Sequence, residues 1–318
     1  MDVVKLLNAM PGACAQGLIW GLMAIGVYIT YKILDLADLT VDGTMCTGGA
    51  VCIMMMLNGH SVGFSLLCAF AAGMLAGLVT GVLHTTMGIP AILAGILTQL
   101  GLYSVNLRIM DGKSNQAISV DKYDLLVSLR YVKGVPFYKN TLFVAAIFIV
   151  VLVGILYWFF GTELGCSVRS TGSNADMARA QGINTNFCKI LGLMLSNGIV
   201  ALASGLYAQY QGFADVNAGR GAIVIGLAAV IIGQVVFGRI SGNFALRLLS
   251  VALGAIIYYM VLQIVLWLGL NSNDLKLLSA IVVAIFLAIP VLWEKWKIVP
   301  IRKEETCNVD TEQCGKDL

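Results

Sequence analysis

Charge is what this 318-residue chain has least of: aspartate, glutamate, lysine and arginine make up only 12% of it. A soluble domain carries about twice that share, so a water-facing globule is excluded. Histidine occurs only at positions 60 and 84. Neither His60 nor His84 has a carboxylate or cysteine at ligand spacing, so no metal site is expected. The chain has no G-x-x-x-x-G-K-[ST] phosphate loop, no G-x-S-x-G turn and no H-E-x-x-H helix. It therefore cannot bind a nucleotide through a P-loop, and it offers no constellation for covalent catalysis. The net charge of +3 is small, and no basic patch with interleaved aromatics argues for nucleic acid. The eight cysteines include no C-x-x-C pair, and most lie in or beside apolar runs, where a thiol behaves as a small hydrophobe. Cys307 and Cys314 match no common zinc spacing.

What is abundant is apolar sequence, at 59% of residues with a mean hydropathy of +0.88. Runs of about 20 uncharged residues are long enough to cross ~30 Å of hydrocarbon. Lipid leaves no partner for exposed backbone groups, so each run is expected to be a helix. The fold class expected is all-α: a polytopic transmembrane bundle of about nine spans. These fall near 13–33, 43–59, 62–84, 89–110, 141–161, 187–210, 222–240, 246–270 and 275–293. The start, M-D-V-V-K-L-L-N-A-M-P-G, shows no convincing cleavage site, so the first run is read as a retained helix. Residues 1–293 form the membrane domain and 294–318 a polar tail. Arg169, Arg179, Lys189, Arg239, Arg247, Lys295, Lys297, Arg302 and Lys303 fall on one face of this scheme. The bias of basic residues in short loops makes that face cytoplasmic. The C-terminus is then cytoplasmic, the N-terminus external, and the charged loop 111–140 external.

The segment 162–186 separates two membrane-length runs. Within it, T-G-S-N-A-D-M-A-R-A-Q-G-I-N (171–184) reads as a short polar helix. Ser173 as N-cap and Asp176 three residues on form a capping-box pattern, and Gly182 stands where a left-handed residue ends a helix. About eight residues, or ~12 Å, lie between them, far too few to cross a bilayer. Such a stiff surface helix is suited to being pushed by a partner.

Two stretches echo one another. Gly26-Val27-Tyr28-Ile29-Thr30-Tyr31 precedes Ala37-Asp38-Leu39-Thr40 and Gly43; Gly205-Leu206-Tyr207-Ala208-Gln209-Tyr210 precedes Ala214-Asp215-Val216-Asn217 and Gly221. One runs inward and the other outward in the nine-span scheme, the arrangement of an inverted repeat. Asp35, Asp38 and Asp42 are read either as a broken helix, with Asp38 and Thr40 lining a pathway, or as a solvated connection. In the second copy Asn217, Gly219 and Gly221 permit a sharp bend, and Arg220 is either a solvated loop charge or a partner for Asp215. Inside the spans, Thr98, Gln99, Ser196, Asn197, Gln234 and Gln263 must bond another helix or face a wet path. Gly73, Gly77 and Gly81 fall on one helix face, and Gly226 and Gly233 repeat at heptad spacing; both patterns signal close helix packing.

Three motifs in this order resemble the permease subunits of ABC importers in the branched-chain amino acid and ribose permease superfamily. They are Ala37-Asp38-Leu39-Thr40-Val41-Asp42-Gly43-Thr44; Thr162-Glu163-Leu164-Gly165 with Gly172-Ser173-Asn174 and Ala178-Arg179-Ala180-Gln181-Gly182-Ile183-Asn184; and Asn217-Ala218-Gly219-Arg220-Gly221 followed by Leu227-Ala228-Ala229-Val230-Ile231-Ile232-Gly233. The resemblance covers about 13–293. It implies that Gly172, Ser173, Asn174, Asp176, Met177, Ala178, Arg179, Ala180, Gly182 and Ile183 form a coupling helix docked on a cytoplasmic ATPase subunit. It implies two permease copies, an external solute-binding (lipo)protein, and no cofactor here, with ATP and magnesium on the ATPase. The pathway candidates are Asp38, Thr40, Asp42, Gly43, Asn197, Asn217, Gly219 and Gly221. Ribose-type permeases carry an extra helix before the one at 13–33, and Met177 stands where the family usually has a second alanine or a bulky residue. The pattern sits nearest a subgroup paired with binding proteins for aromatic amino acids. The rival reading is an ATPase-independent channel or secondary transporter, with Asp38 and Asp215 as its only candidate buried acids.

Overall fold

A computed structural model describes residues 3–119, 123, 125–129, 140–238 and 242–267, together with 277, 280, 281, 283–285 and 288. Among the described residues, ten helices and two short strands follow in chain order: α1 (Val3–Tyr28), α2 (Thr40–Leu57), α3 (Val62–Thr85), α4 (Ala91–Ile109), β1 (Asn115–Ala117), α5 (Thr141–Gly161), α6 (Glu163–Ser173), α7 (Ala175–Ala180), α8 (Thr185–Gln211), β2 (Phe213–Asp215), α9 (Ala222–Phe237) and α10 (Phe244–Trp267). Helix α1 continues through a π-helical turn, Ile29–Ile33.

Seven helical segments among the described residues are long and apolar enough to span a bilayer: Ala9–Ile33, α2, α3, α4, α5, α8 and α10. The expected span at 222–240 is a shorter apolar helix of 16 residues. The ninth expectation, 275–293, falls largely outside the described residues, as does the tail 294–318. Helices α4 and α5 present apolar side chains outward, Leu100 and Trp158 among them, as a lipid-facing surface requires.

Helix α8 is the axis on which the others are ordered. Gly73, Gly77 and Gly81 of α3 lie against Asn197, Leu193 and Ile190, so α3 runs antiparallel to it. A methyl group at Gly77 would enter the Leu193 backbone, which is why this seam takes glycine. Helix α1 also runs antiparallel to α8: the Tyr210 hydroxyl donates to the Gly12 carbonyl at 3.3 Å, and Ser196 donates to the Gly26 carbonyl at 2.7 Å. Helix α2 runs parallel to α8, with Gly48 on Ala201 and Cys52 on Gly205. Helices α9 and α10 pack on α1 and on each other.

This order gives the bundle two distinct ends. Helices α6 and α7 and the start of α8 occupy one, with Arg169, Arg179 and Lys189; Arg247 begins α10 there, where Arg169 lies 5.4 Å above the Phe244 ring. At the other end β1 pairs antiparallel with β2, Asn115 opposite Asp215 and Ala117 opposite Phe213. The strands tie the loop after α4 to the connection after α8.

Candidate functional site

The first candidate region is a break in the backbone deep in the bundle. The Leu34 N–H reaches back to the Ile29 carbonyl at 3.0 Å, and the Leu36 N–H to the Thr30 carbonyl at 3.0 Å. These over-long steps unwind the helix, and Asp35 takes a left-handed φ of 54°. Asp38, only 3% exposed, then starts the next helix: one carboxylate oxygen accepts the Thr40 N–H at 2.9 Å and the other accepts the Asn197 side-chain N–H at 2.7 Å. The Asn197 oxygen accepts from the Thr44 hydroxyl at 2.7 Å. Thr40, Thr80 and Thr98 continue the polar seam, at 2.7 Å and 2.9 Å. Asn197 lies near the middle of α8, so α2 begins well inside the bundle.

Helix α9 also begins inside the bundle. Its first turn is held by a residue of another helix: Asp42 accepts the Gly221 N–H at 3.0 Å and the Ile223 N–H at 2.9 Å. An anion at a helix N-terminus is favourable, because the first amide N–H groups have no partner within the helix. Gly219 lies flat on the Asp42 carbonyl, and Cys46 donates its thiol to the Val216 carbonyl at 2.9 Å. Gly226 packs on Met23 and Val27 of α1, one turn further on.

The pathway candidates therefore divide. Asp38, Thr40 and Asn197 form a closed buried network. Asp42 and Gly43 line a cavity of about 390 Å³ with Gln99, Tyr103, Asn106 and Arg220. Gly221 lines a second cavity of about 510 Å³, between α1, α8, α9 and α10. Asn217 is exposed and makes a local turn, donating its backbone N–H to Asp215 at 2.9 Å. Arg220 does not pair with Asp215 but lines both cavities. Sequence reasoning missed the walls of the larger cavity. Trp20 meets Tyr207 edge-on with ring centres 5.4 Å apart and Tyr259 at 5.8 Å. An aromatic residue in an apolar helix reads the same whether it faces lipid or a cavity; only Gln263 and Arg220 gave a polar signal.

The second region is the capped helix, whose boundaries need correction. Ser173 is the last residue of α6, and it is Asn174 that caps α7. The Asn174 side-chain oxygen accepts the N–H groups of Asp176 at 3.1 Å and Met177 at 3.0 Å. The helix has six residues rather than about eight. Its end is as read: Gly182 has φ 84°, and the Ile183 N–H closes on the Ala178 carbonyl at 3.1 Å. Ala178 is buried, Met177 is 61% exposed, and Arg179 donates to the Thr185 hydroxyl at 2.9 Å. Gly172 lies directly against the Ile33 carbonyl and Leu34, where the α1 helix unwinds.

Residues 11–290 match the family described as branched-chain amino acid transport system / permease component. This chain belongs to that family. It is similar to the tyrosine transport system permease protein of Clostridioides difficile, at 41% identity over 89% of this chain and 91% of the relative. An uncharacterized protein of Rickettsia prowazekii, RP368, is 35% identical over 89% of this chain and 98% of its own length. The fructose import permease protein FruF of Bifidobacterium longum is 29% identical over 78% of this chain and 68% of its own. As a permease component, the chain is a multi-pass membrane subunit of an ABC importer for a small solute, and it is not an enzyme. ATPase and solute-binding partners follow from that role.

Proposed function

We propose that this permease carries an amino acid, works as one of two copies, and takes its driving force at α6 and α7 from a cytoplasmic ATPase. The 41% identical tyrosine permease supports an amino acid as cargo. A solute-binding lipoprotein in this reading docks at the strand-bearing end, and magnesium and ATP stay on the ATPase. The α7 end, and with it the C-terminus, faces the cytoplasm of the plasma membrane.

One observation carries the coupling role: the contact of Gly172 with the Ile33 carbonyl. A force on α7 passes to α8 through Arg179 and Thr185, and to α6, with which α7 shares Asn174 as cap. Helix α6 rests on the unwound turn, and from that turn the chain runs through Asp35 to Asp38 in its buried network. Pushing the surface helix therefore moves the segment that positions α2. Because a packed core shifts between discrete arrangements rather than bending, such a push can switch which end of the path is open.

An inverted repeat suits this geometry. Pairing α1 with α8, α2 with α9 and α3 with α10 makes the packing of α8 on α2 and α3 the counterpart of that of α1 on α9 and α10. Each half then contributes a helix that starts midway, α2 held by Asp38 and α9 by Asp42.

Met177 tests the coupling role, because its side chain is exposed and a change there spares the fold. In the complex reconstituted with ATPase and binding protein, Met177→Glu should release the ATPase on purification. Uptake should fall at least about tenfold, the effect of losing ~1.4 kcal/mol at an interface. The permease itself should remain in the membrane at its usual level. Retained ATPase and normal uptake would remove α7 from the coupling role.

A further inference from the structure

The geometry points to the cavity between α1, α8, α9 and α10 as a binding site within the permease for an aromatic amino acid, with the carboxylate on Arg220 and the ring among Trp20, Tyr207 and Tyr259. This rests on the reading that the cargo is an amino acid.

Size allows it: at about 510 Å³ the cavity falls in the range of ~300–1,000 Å³ typical of small-ligand sites. Wall chemistry narrows the ligand. Tyr258 and Tyr259 meet edge-on at 5.4 Å, and Trp20 bridges Tyr259 to Tyr207. Such a tilted set of rings offers a further ring the offset and edge-on contacts that aromatic groups favour over plain apolar burial. A branched aliphatic side chain would gain only the burial.

One buried donor and one cation in the wall bear on the ligand. Trp20 is only 5% exposed, and its indole N–H has no hydrogen-bond partner among the described residues. A buried donor left empty is uncommon, and a turn of the indole toward the cavity would let a phenol or carbonyl oxygen satisfy it. Arg220, in the turn before α9, lines this cavity and also the smaller one beside Asp42 and Asn106. A zwitterion whose head lies beside Arg220 can place its carboxylate on the guanidinium. The ring then lies on the Trp20 side. Guanidinium and carboxylate form the charge-assisted pairing that fixes orientation as well as affinity.

The test is equilibrium binding of radiolabelled L-tyrosine to the full-length permease in lipid nanodiscs, without ATPase or binding protein. Saturable binding is expected, competed by L-phenylalanine and L-tryptophan but not by L-leucine, fructose or tyramine, which lacks the carboxylate. Arg220→Gln should weaken binding at least about tenfold, the scale of one charge-assisted bond. Trp20→Phe keeps the ring and should weaken L-tyrosine about threefold or more. Absence of saturable binding, equal competition by leucine or fructose, binding of tyramine as tight as that of tyrosine, or a cavity filled by a co-purified lipid chain that tyrosine does not displace would each overturn the assignment. An Arg220→Gln variant that binds like the parent would do the same. None of these outcomes touches the ATPase contact at α7, which the Met177 variant tests alone.

Discussion

Asn197 joins the buried polar groups of two helices, because its amide group satisfies a carboxylate on one side and a hydroxyl on the other. A carboxylate this deep in an apolar bundle is tolerated only when its lone pairs are occupied. Asn197→Leu removes one donor from Asp38 and the acceptor for Thr44 while keeping similar bulk. It should destabilise the permease by about 2–3 kcal/mol, the cost of a bond to a charged group. Thr98→Val removes only a neutral hydroxyl at the end of its seam and should cost about 1 kcal/mol. Equilibrium unfolding in mixed micelles would separate the two, and equal losses would mean that the Asp38 contact contributes nothing special. The sequence marked Asp38, Thr40 and Asn197 one by one, since each is expensive in an apolar segment. It could not join them: Asp38 and Asn197 are 159 residues apart, and only the crossing of α2 with α8 brings them to 2.7 Å.

At the scale of the element, α7 shows how far a local pattern carries. Ser173 and Asn174 are adjacent, and both residue types cap helices well. The S-x-x-D pattern favours the first; the structure uses the second, because α6 runs on through Ser173 while Gly172 is pinned against the unwound turn of α1. A tertiary contact thus shifted the cap by one residue, and nothing local records it. Gly182 needed no such help, since a positive φ is a local demand that glycine meets best. The cap makes an exchange measurement decisive. Asn174→Ala should cost about 1 kcal/mol of helix stability and speed amide exchange across 175–180 about fivefold. Ser173→Ala should leave that exchange unchanged. The reverse result would return the cap to Ser173.

Across the described residues, the helices sort into two packed groups: α2 and α3 gather on α8 with α4 against them, while α9, α10 and α5 gather on α1. Helices α1 and α8 join the groups along their length, whereas α2 and α9 touch sparsely and meet chiefly where Asp42 holds the α9 N-terminus. Hydropathy revealed the long spans but gave no hint of this division, because α9 reads as one more span at 222–240 and its midway start depends on a carboxylate from another helix. If transport works by moving one group against the other, Asp42 is the joint that must hold in one state and yield in another. Asp42→Asn keeps the size of the side chain and removes the charge facing the helix terminus. Its stability cost should be about 2 kcal/mol, since the amide leaves one of the two N–H groups without its acceptor but the packing within each group is untouched. Uptake should fall at least about tenfold, while ATP hydrolysis by the complex continues. That split between stability and transport identifies a moving joint, whereas a variant that loses both in proportion, or neither, would mean that Asp42 merely packs.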